Sequence, residues 1–528
     1  MVEEESALGF FCGLLLVSAI LFSLFLLGSN NLGQTGMNYD EAASFWISQG
    51  LHNYSPVKEN PKGLKEVIRR NQSSNLDPGG HSILLHFWTK LDIGIVWLRL
   101  FSFIFFLVFL IFLALLAWEW SRSYVFTALS VLLPFLFDKV IHFAFEIRAY
   151  SMEICGIVVG VYLLNRVFHN PTVKGSLLLG LILACFMSSR YSFITIVAAV
   201  IISYFTFIFS QPKEKRRQLV TNLIIMLIPI VTLGFIIFYF SFFPQINMRI
   251  GEETFVPDFY KNYVLKTKSF NGYLDILKIN FLSFKAFPIT ISLLMLLVIR
   301  PIMNFIPKKD YLRLSLKHTK YFNQFYLLIF SVYLFSFLLS LLGIYPWNID
   351  MKWSLYLQAL SIVAVVLIVS EVIALFRVYD LMGKFRMLNY FVPVTTVVVI
   401  IFLLSNSYQK AIRKYDHNAD LIPTIDYLKQ EQLPKRSIYV TFYEVPVVRY
   451  LYEYGNLRGD NFYPDHYKLE YPYYGVETSP IDMKEDCLSY FITGDSPGVI
   501  SKRLDGYKIE KVENYSLLLK VSNQKCSQ

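Results

Sequence analysis

Leu219–Phe240 reads LVTNLIIMLIPIVTLGFIIFYF and carries no charged side chain. A helix needs roughly 20 such residues to cross the hydrocarbon of a bilayer. Comparable runs recur along all but the last part of the chain. Of its 528 residues 55% are hydrophobic and 17% charged, and its mean hydropathy is positive. Soluble domains carry roughly 25% charged residues, so the composition is that of a polytopic membrane protein.

Working outward from that run, the apolar stretches predict eleven spans. The first is Ala7–Leu27, followed by a long polar segment to Trp97. Leu98–Ala117 is the second, and Tyr124–Phe145 the third, interrupted by Asp138 and Lys139. Ser151–Leu164, Leu177–Met187 (each with flanks) and Phe193–Phe209 are the fourth to sixth, and Leu219–Phe240 is the seventh. Ile279–Ile299, carrying Lys285, is the eighth, then come Phe325–Ile344, Trp353–Leu375 and Leu388–Leu404.

Loop charge tests this count, because basic residues collect in short cytoplasmic loops. Gln211–Gln218 holds Lys213, Lys215, Arg216 and Arg217. Arg300–Lys320 holds Arg300, Lys308, Lys309, Arg313, Lys317 and Lys320, and Arg377–Arg386 holds Arg377, Lys384 and Arg386. With Arg122, Arg166 and Lys174 these all fall in alternate loops, which puts the N-terminus in the cytoplasm. The net charge of +10 is then a topology signal. Nucleic acid is not an expected partner, since the basic residues sit in short loops between spans.

Eleven spans place residues 405–528 on the far side, outside a membrane module of residues 1–404 whose first external segment is 28–97. The C-terminal part is polar enough to fold in water. Its patterning predicts helix at Leu421–Gln430, strand at Ser437–Phe442, helix at Val445–Tyr454, and strands at Ser489–Thr493 and Ser516–Val521, a small α/β domain. Cys12, Cys155 and Cys185 fall inside spans, whereas Cys487 and Cys526 lie in the external domain, where an oxidising compartment permits a disulfide between them. The acidic Glu3-Glu4-Glu5 head lacks the basic start of a cleavable signal, so the first span reads as an anchor.

On the external side the chain offers Asp40-Glu41, about a dozen residues past the first span, then Asp77-Pro78-Gly79-Gly80-His81 leading into Leu84–Trp88, a run suited to an interfacial helix. Arg99 stands at the mouth of the second span, Glu146-Ile147-Arg148-Ala149-Tyr150 follows the third, and Lys352-Trp353 precedes the tenth. Each has a plain reading: acids cap helices, and Arg, Lys, Trp and Tyr anchor span ends at the interface. Acids beside a bilayer also serve water-filled cavities and active sites. A carboxylate can act as general base towards an acceptor hydroxyl. Arginines and a lysine can hold a phosphate and stabilise charge developing on it as it leaves. His81 and His86 are five residues apart, so they do not share a helix face, and no clustered metal-ligand spacing occurs; no metal and no cofactor is predicted.

The order of these elements resembles the GT-C glycosyltransferases, in their protein-mannosyltransferase and aminoarabinose-transferase branch, over roughly residues 1–370. That resemblance implies Asp40 as catalytic base and Glu41 as a neighbouring substrate-binding or structural acid. It implies a donor site lined by Arg99, Glu146, Arg148 and Tyr150, with Lys352 at the position of a late arginine and His81 where the branch often has His-Pro-Pro. The implied activity is inverting transfer of a sugar from a polyprenyl-phosphate donor to an extracytoplasmic acceptor (lipid, glycan or protein). A bacterial inner membrane, with the C-terminal domain in the periplasm, suits this reading. A transporter or flippase of a lipid-linked saccharide is the alternative from another class. It would place charges and broken helices within the membrane. A scaffold presenting an external binding domain is a third reading.

Overall fold

The structure, a computed structural model, describes residues 37–52, 60–75, 77–249, 264–265, 268–299, 321–378, 421–430, 438–440, 445–454, 462–464, 490–492, 508–512 and 518–522, with Gly28 and Leu32. Among them six helices are long and apolar enough to cross a membrane: Ile95–Ser121, Tyr150–His169, Phe193–Ser210, Lys213–Ile246, Phe322–Leu341 and Lys352–Ala374. This content is consistent with an integral membrane protein. The expected spans Ala7–Leu27 and Leu388–Leu404, and the expected Cys487–Cys526 disulfide, lie outside the described residues.

Three of the expected spans differ from simple crossings. The third is two helices, Phe126–Leu136 and Asp138–Phe145, bent by 83°; the eighth is Asn271–Leu282 and Phe287–Ile299, bent by 79°. Counting each bent pair as one span gives 8 crossings among the described residues. The fifth, Val173–Met187, has 15 residues, a rise of roughly 22 Å against a hydrocarbon core of about 30 Å.

Local chemistry accounts for the bends. In the first pair Pro134, which has no N–H to give, sits in a 3-10 turn at Leu133–Leu136, and Phe137 is extended before Asp138 restarts the helix. In the second, Ser283 is extended at the end of one helix and Pro288 opens the next. The charges that interrupt both apolar runs stand at these joints. Lys285 Nζ lies 2.9 Å from Asp138 Oδ1 and 3.2 Å from Asp350 Oδ1, so one ammonium ties the two breaks to the segment before Lys352.

The chain divides into two compact units. The first takes in residues 77–81 and 99–412, and the second residues 30–76, 82–98 and 413–528. In the first unit helices approach through small residues, as membrane helices do in the absence of a hydrophobic drive between them. A Cβ on Gly180 would lie 2.2 Å from the Met226 carbonyl oxygen, so the Val173–Met187 and Lys213–Ile237 helices meet backbone to backbone there. Gly156 plays the same part against the Phe186 ring.

In the second unit the C-terminal segment forms a five-stranded sheet in the order β2-β1-β3-β5-β4. Here β1 is Ile438–Val440, β2 Phe462–Pro464, β3 Tyr490–Ile492, β4 Lys508–Lys511 and β5 Leu518–Ser522. β1 lies parallel between β2 and β3, whereas β5 runs antiparallel to both β3 and β4. The helices Leu421–Gln430 and Val445–Tyr454 have the expected bounds. β4, with sequence KIEK, is an exposed edge strand and carries no apolar alternation to announce it.

Because the atom meeting Gly180 is backbone, it has no rotamer through which to yield. Gly180→Val is expected to lower stability by about 1–3 kcal/mol or more, the usual cost of overpacking. A melting curve of the detergent-purified protein, with the lipid-facing Val231→Ala as control, measures the loss.

Candidate functional site

The Asp77–Gly80 turn is built for close approach. Gly79 has a φ of +97°, in the left-handed region, and a Cβ on Gly80 would fall 2.0 Å from Ser188 Oγ. Gly80 instead donates its N–H to the Ser188 carbonyl at 2.9 Å. Ser241 Oγ donates to the Pro78 carbonyl at 2.6 Å and Gln245 Nε2 to the Asp77 carbonyl at 3.1 Å. The turn is thus pinned between the end of the Val173–Met187 helix and the far end of the long Lys213–Ile246 helix.

Pinned there, Asp77 meets Arg190, a buried residue in the short link before the Phe193–Ser210 helix. Arg190 Nε lies 3.4 Å from Asp77 Oδ1, and Nη1 lies 3.5 Å from Glu153 Oε2. Nη2 donates to the Tyr345 hydroxyl at 3.2 Å, and that hydroxyl donates in turn to the Trp353 carbonyl at 3.0 Å. Ser192 Oγ donates to Glu153 Oε1. The guanidinium also covers the Tyr150 ring, 4.2 Å from its centroid. Burial pushes the Tyr345 hydroxyl up to about 12, against the opposing pull of Arg190, so it keeps the proton it donates.

Arg148 approaches the same Tyr150 ring at 5.8 Å, placing two cations on one aromatic. Its backbone N–H donates to the Glu146 carbonyl at 2.7 Å, and the Glu146 carboxylate lies 3.4 Å from His142 Nε2. His81 follows the Asp77 turn and packs edge-on against Phe101 at 5.4 Å. Its Nε2 is buried with no hydrogen-bond partner. Burial, and then the positive charge of Arg148, pushes its imidazole from 6.5 down to about 3. His81 is therefore a neutral ring near Arg148. His86 serves elsewhere, with Nδ1 2.8 Å from the Ser48 carbonyl oxygen.

Of the residues singled out in the sequence, His81, Arg148 and Tyr150 are brought together here. Lys352 stands next to Trp353, whose carbonyl joins the same network. Glu146 adjoins it through Arg148. Arg99 is wholly buried in the first turns of the Ile95–Ser121 helix. Asp77, Glu153, Arg190, Ser192 and Tyr345 were not singled out as site residues. Arg190 gave the same signal as Arg99, a cation at the mouth of a span. Glu153 is concealed in the first turn of the apolar Tyr150–His169 helix.

Asp40 and Glu41 belong to the second unit, at the start of the Tyr39–Ser48 helix. Glu41 closes a capping box. Its backbone N–H donates to Asn38 Oδ1 at 2.8 Å, while its Oε2 accepts from the Asn38 N–H at 3.1 Å. The capping reading therefore describes Glu41. Asp40 is half-buried beside the helix N-terminus, where negative charge is favoured. Among the described residues no group of three or more His, Cys, Asp or Glu is placed to hold a metal ion.

Comparison with protein-family models, and with curated proteins, finds no match for this chain.

Two predictions follow from the buried charges. Arg190→Met removes the buried cation that Asp77 and Glu153 share, a loss expected at about 3–5 kcal/mol. Adding Glu153→Gln to Arg190→Met should recover part of it in the same thermal-melt assay. His81 is expected to give an acid-sensitive stability. Its folded value of about 3 is below 6.5, so the unfolded chain binds the extra proton between them. Its contribution is fully present above pH 6.5 and fades as pH falls towards 3. Melting temperature measured from pH 7.5 down to about 4 should fall less steeply in His81→Gln than in wild type.

Proposed function

We propose that this chain is an integral-membrane glycosyltransferase that moves a sugar from a polyprenyl-phosphate donor to an extracytoplasmic acceptor. The observation that carries the reading is the pair of cations, Arg148 and Arg190, that both approach the ring of Tyr150, a residue singled out in the sequence. Donor phosphate chemistry needs cations held rigidly at the end of apolar helices. Here Arg190 is fixed by Asp77, Glu153 and Tyr345, and Arg148 approaches the ring that Arg190 covers.

In this reading Asp40 takes the proton of the acceptor hydroxyl as that oxygen bonds to the anomeric carbon. The bond from that carbon to the phosphate oxygen breaks, its electron pair leaves on the polyprenyl phosphate, and the anomeric centre inverts. Arg148 and Lys352 offset the charge developing on the leaving phosphate, and Arg99 and Arg190 set the field behind them. The neutral His81 ring and Tyr150 take sugar and phosphate oxygens by hydrogen bonds. Glu41 holds the helix start that carries Asp40. The protein would sit in a bacterial inner membrane, N-terminus in the cytoplasm and C-terminal domain in the periplasm.

Transfer from radiolabelled polyprenyl-phosphate sugars tests this directly. Asp40→Asn should lower kcat by about 10²–10⁴-fold with an unchanged melting temperature. Arg148→Ala should weaken both donor KM and kcat. An Asn variant that transfers at the wild-type rate would remove Asp40 as the base.

A transporter or flippase of a lipid-linked saccharide is favoured by a different observation, the two bent helix pairs joined by Lys285 and Asp138 at their breaks. Discontinuous helices with charges at the break are the usual build of transport sites. Proteoliposomes separate the readings: movement of the lipid-linked sugar across the bilayer without transfer supports the transporter.

A further inference from the structure

The C-terminal domain is so far without a task, and its contacts within its own unit suggest one. The Val445–Tyr454 helix, which connects β1 to β2, packs on the Tyr39–Ser48 helix that begins with Asp40 and Glu41. The packing is specific in chemistry. Trp46 Nε1 donates to the Pro446 carbonyl at 2.9 Å. Arg449 is buried, with its guanidinium 3.8 Å from the Trp46 ring centroid. Arg449 Nη1 also donates to the His52 carbonyl at 2.9 Å, just past the end of the same helix. Phe45 meets Tyr450 edge-on at 5.1 Å, and the Tyr450 hydroxyl donates to the Ile93 carbonyl at 2.7 Å.

These contacts come from residues about 400 positions apart in the chain. They hold a helix of only 10 residues, which is too short to be stable alone in water. A buried cation stacked on an indole costs desolvation, and a loose surface contact would not need it. The Arg449 side chain spans the contact from Trp46 to the end of the helix, so it fixes both rotation and axial position. The helix start is fixed separately, by the Asn38–Glu41 capping box.

We propose that the C-terminal domain is a positioning clamp for the acid-bearing helix, acting through Arg449 and Trp46 on the placement of Asp40. The clamp rests on the assignment of Asp40 as the base. Arg449 and Trp46 touch no substrate in this scheme and are positioning residues.

The test uses the full-length protein in nanodiscs and two variants. Arg449→Leu removes the cation from the Trp46 ring and the donor from His52. Trp46→Phe keeps an aromatic ring but loses the bond to Pro446, and it serves where Arg449→Leu fails to fold. Hydrogen exchange of the Ala42–Ser48 amides reports the docking without any assay of activity. Sugar transfer reports its consequence. Faster exchange in this helix, with kcat down about tenfold to a hundredfold and donor KM within about twofold, supports the clamp. Arg449→Lys, which keeps a cation over the ring, should recover most of kcat. Unchanged exchange in both variants overturns it, and so does faster exchange with unchanged kcat. If wild type transfers no sugar, the glycosyltransferase reading fails, and exchange alone then decides whether the domain docks this helix.

Discussion

A guanidinium buried away from water must be matched on every side, and in the first unit that constraint falls on Arg190. Its three nitrogens face Asp77, Glu153 and Tyr345, and its flat face lies on Tyr150. The partners come from three segments: the turn before the Gly80–Trp88 helix, the first turn of the Tyr150–His169 helix, and the link before Lys352. Losing either carboxylate would leave the buried guanidinium short of counter-charge, so these segments are tied together through it. The Gly79-Gly80 turn and the hydrogen bonds from Ser241 and Gln245 exist, in physical terms, to deliver Asp77 to that guanidinium. Arg148 and His81 then inherit fixed positions from the same scaffold.

Much of the fold was legible in the sequence because bilayer length is a hard constraint. The spans from Ile95, Tyr150, Phe193, Lys213, Phe322 and Lys352 match apolar runs readable from the residues alone. What could not be read was direction. Asp138 interrupts one apolar run and Lys285 stands within another, and neither by itself announces a turn. In the structure each marks a joint where the helix turns by about 80°. Opposite charges in two such runs, with a proline near each, were the available signal; pairing them required knowing that distant runs meet. The edge strand β4 was missed for the opposite reason, since in KIEK the single apolar residue, Ile509, is itself exposed.

The candidate site was legible where chemistry stood at span ends, as with Arg148, Tyr150 and His81. It was illegible where an ionisable side chain sat in an apolar run. Glu153, flanked by Met152 and Ile154, reads as an isolated acid inside a span, and its partners Arg190 and Ser192 lie almost forty residues away. Local sequence carries no term for such a pairing. Tyr345, an aromatic residue near a span end, has by sequence alone the common role of an interfacial anchor. Its work as a relay between Arg190 and the Trp353 carbonyl depends on the end of a different helix being delivered to it.

Asp40 and Glu41 show how two adjacent identical charges acquire different tasks from geometry alone. Neighbouring residues on a helix point about 100° apart, so they face different surroundings. The third helical position is the one from which a carboxylate reaches back to the N-cap, and Glu41 occupies it with Asn38 as its counterpart. That leaves Asp40 as the acid outside the capping box. The helix it stands on is held by the box at its start and by the Trp46–Arg449 stack farther along. For Asp40 to act as the proposed base, its oxygen must be held to a fraction of an ångström against the proton it removes. A short helix fixed at two separate points supplies that rigidity, which neither the cap nor the domain contact would supply alone.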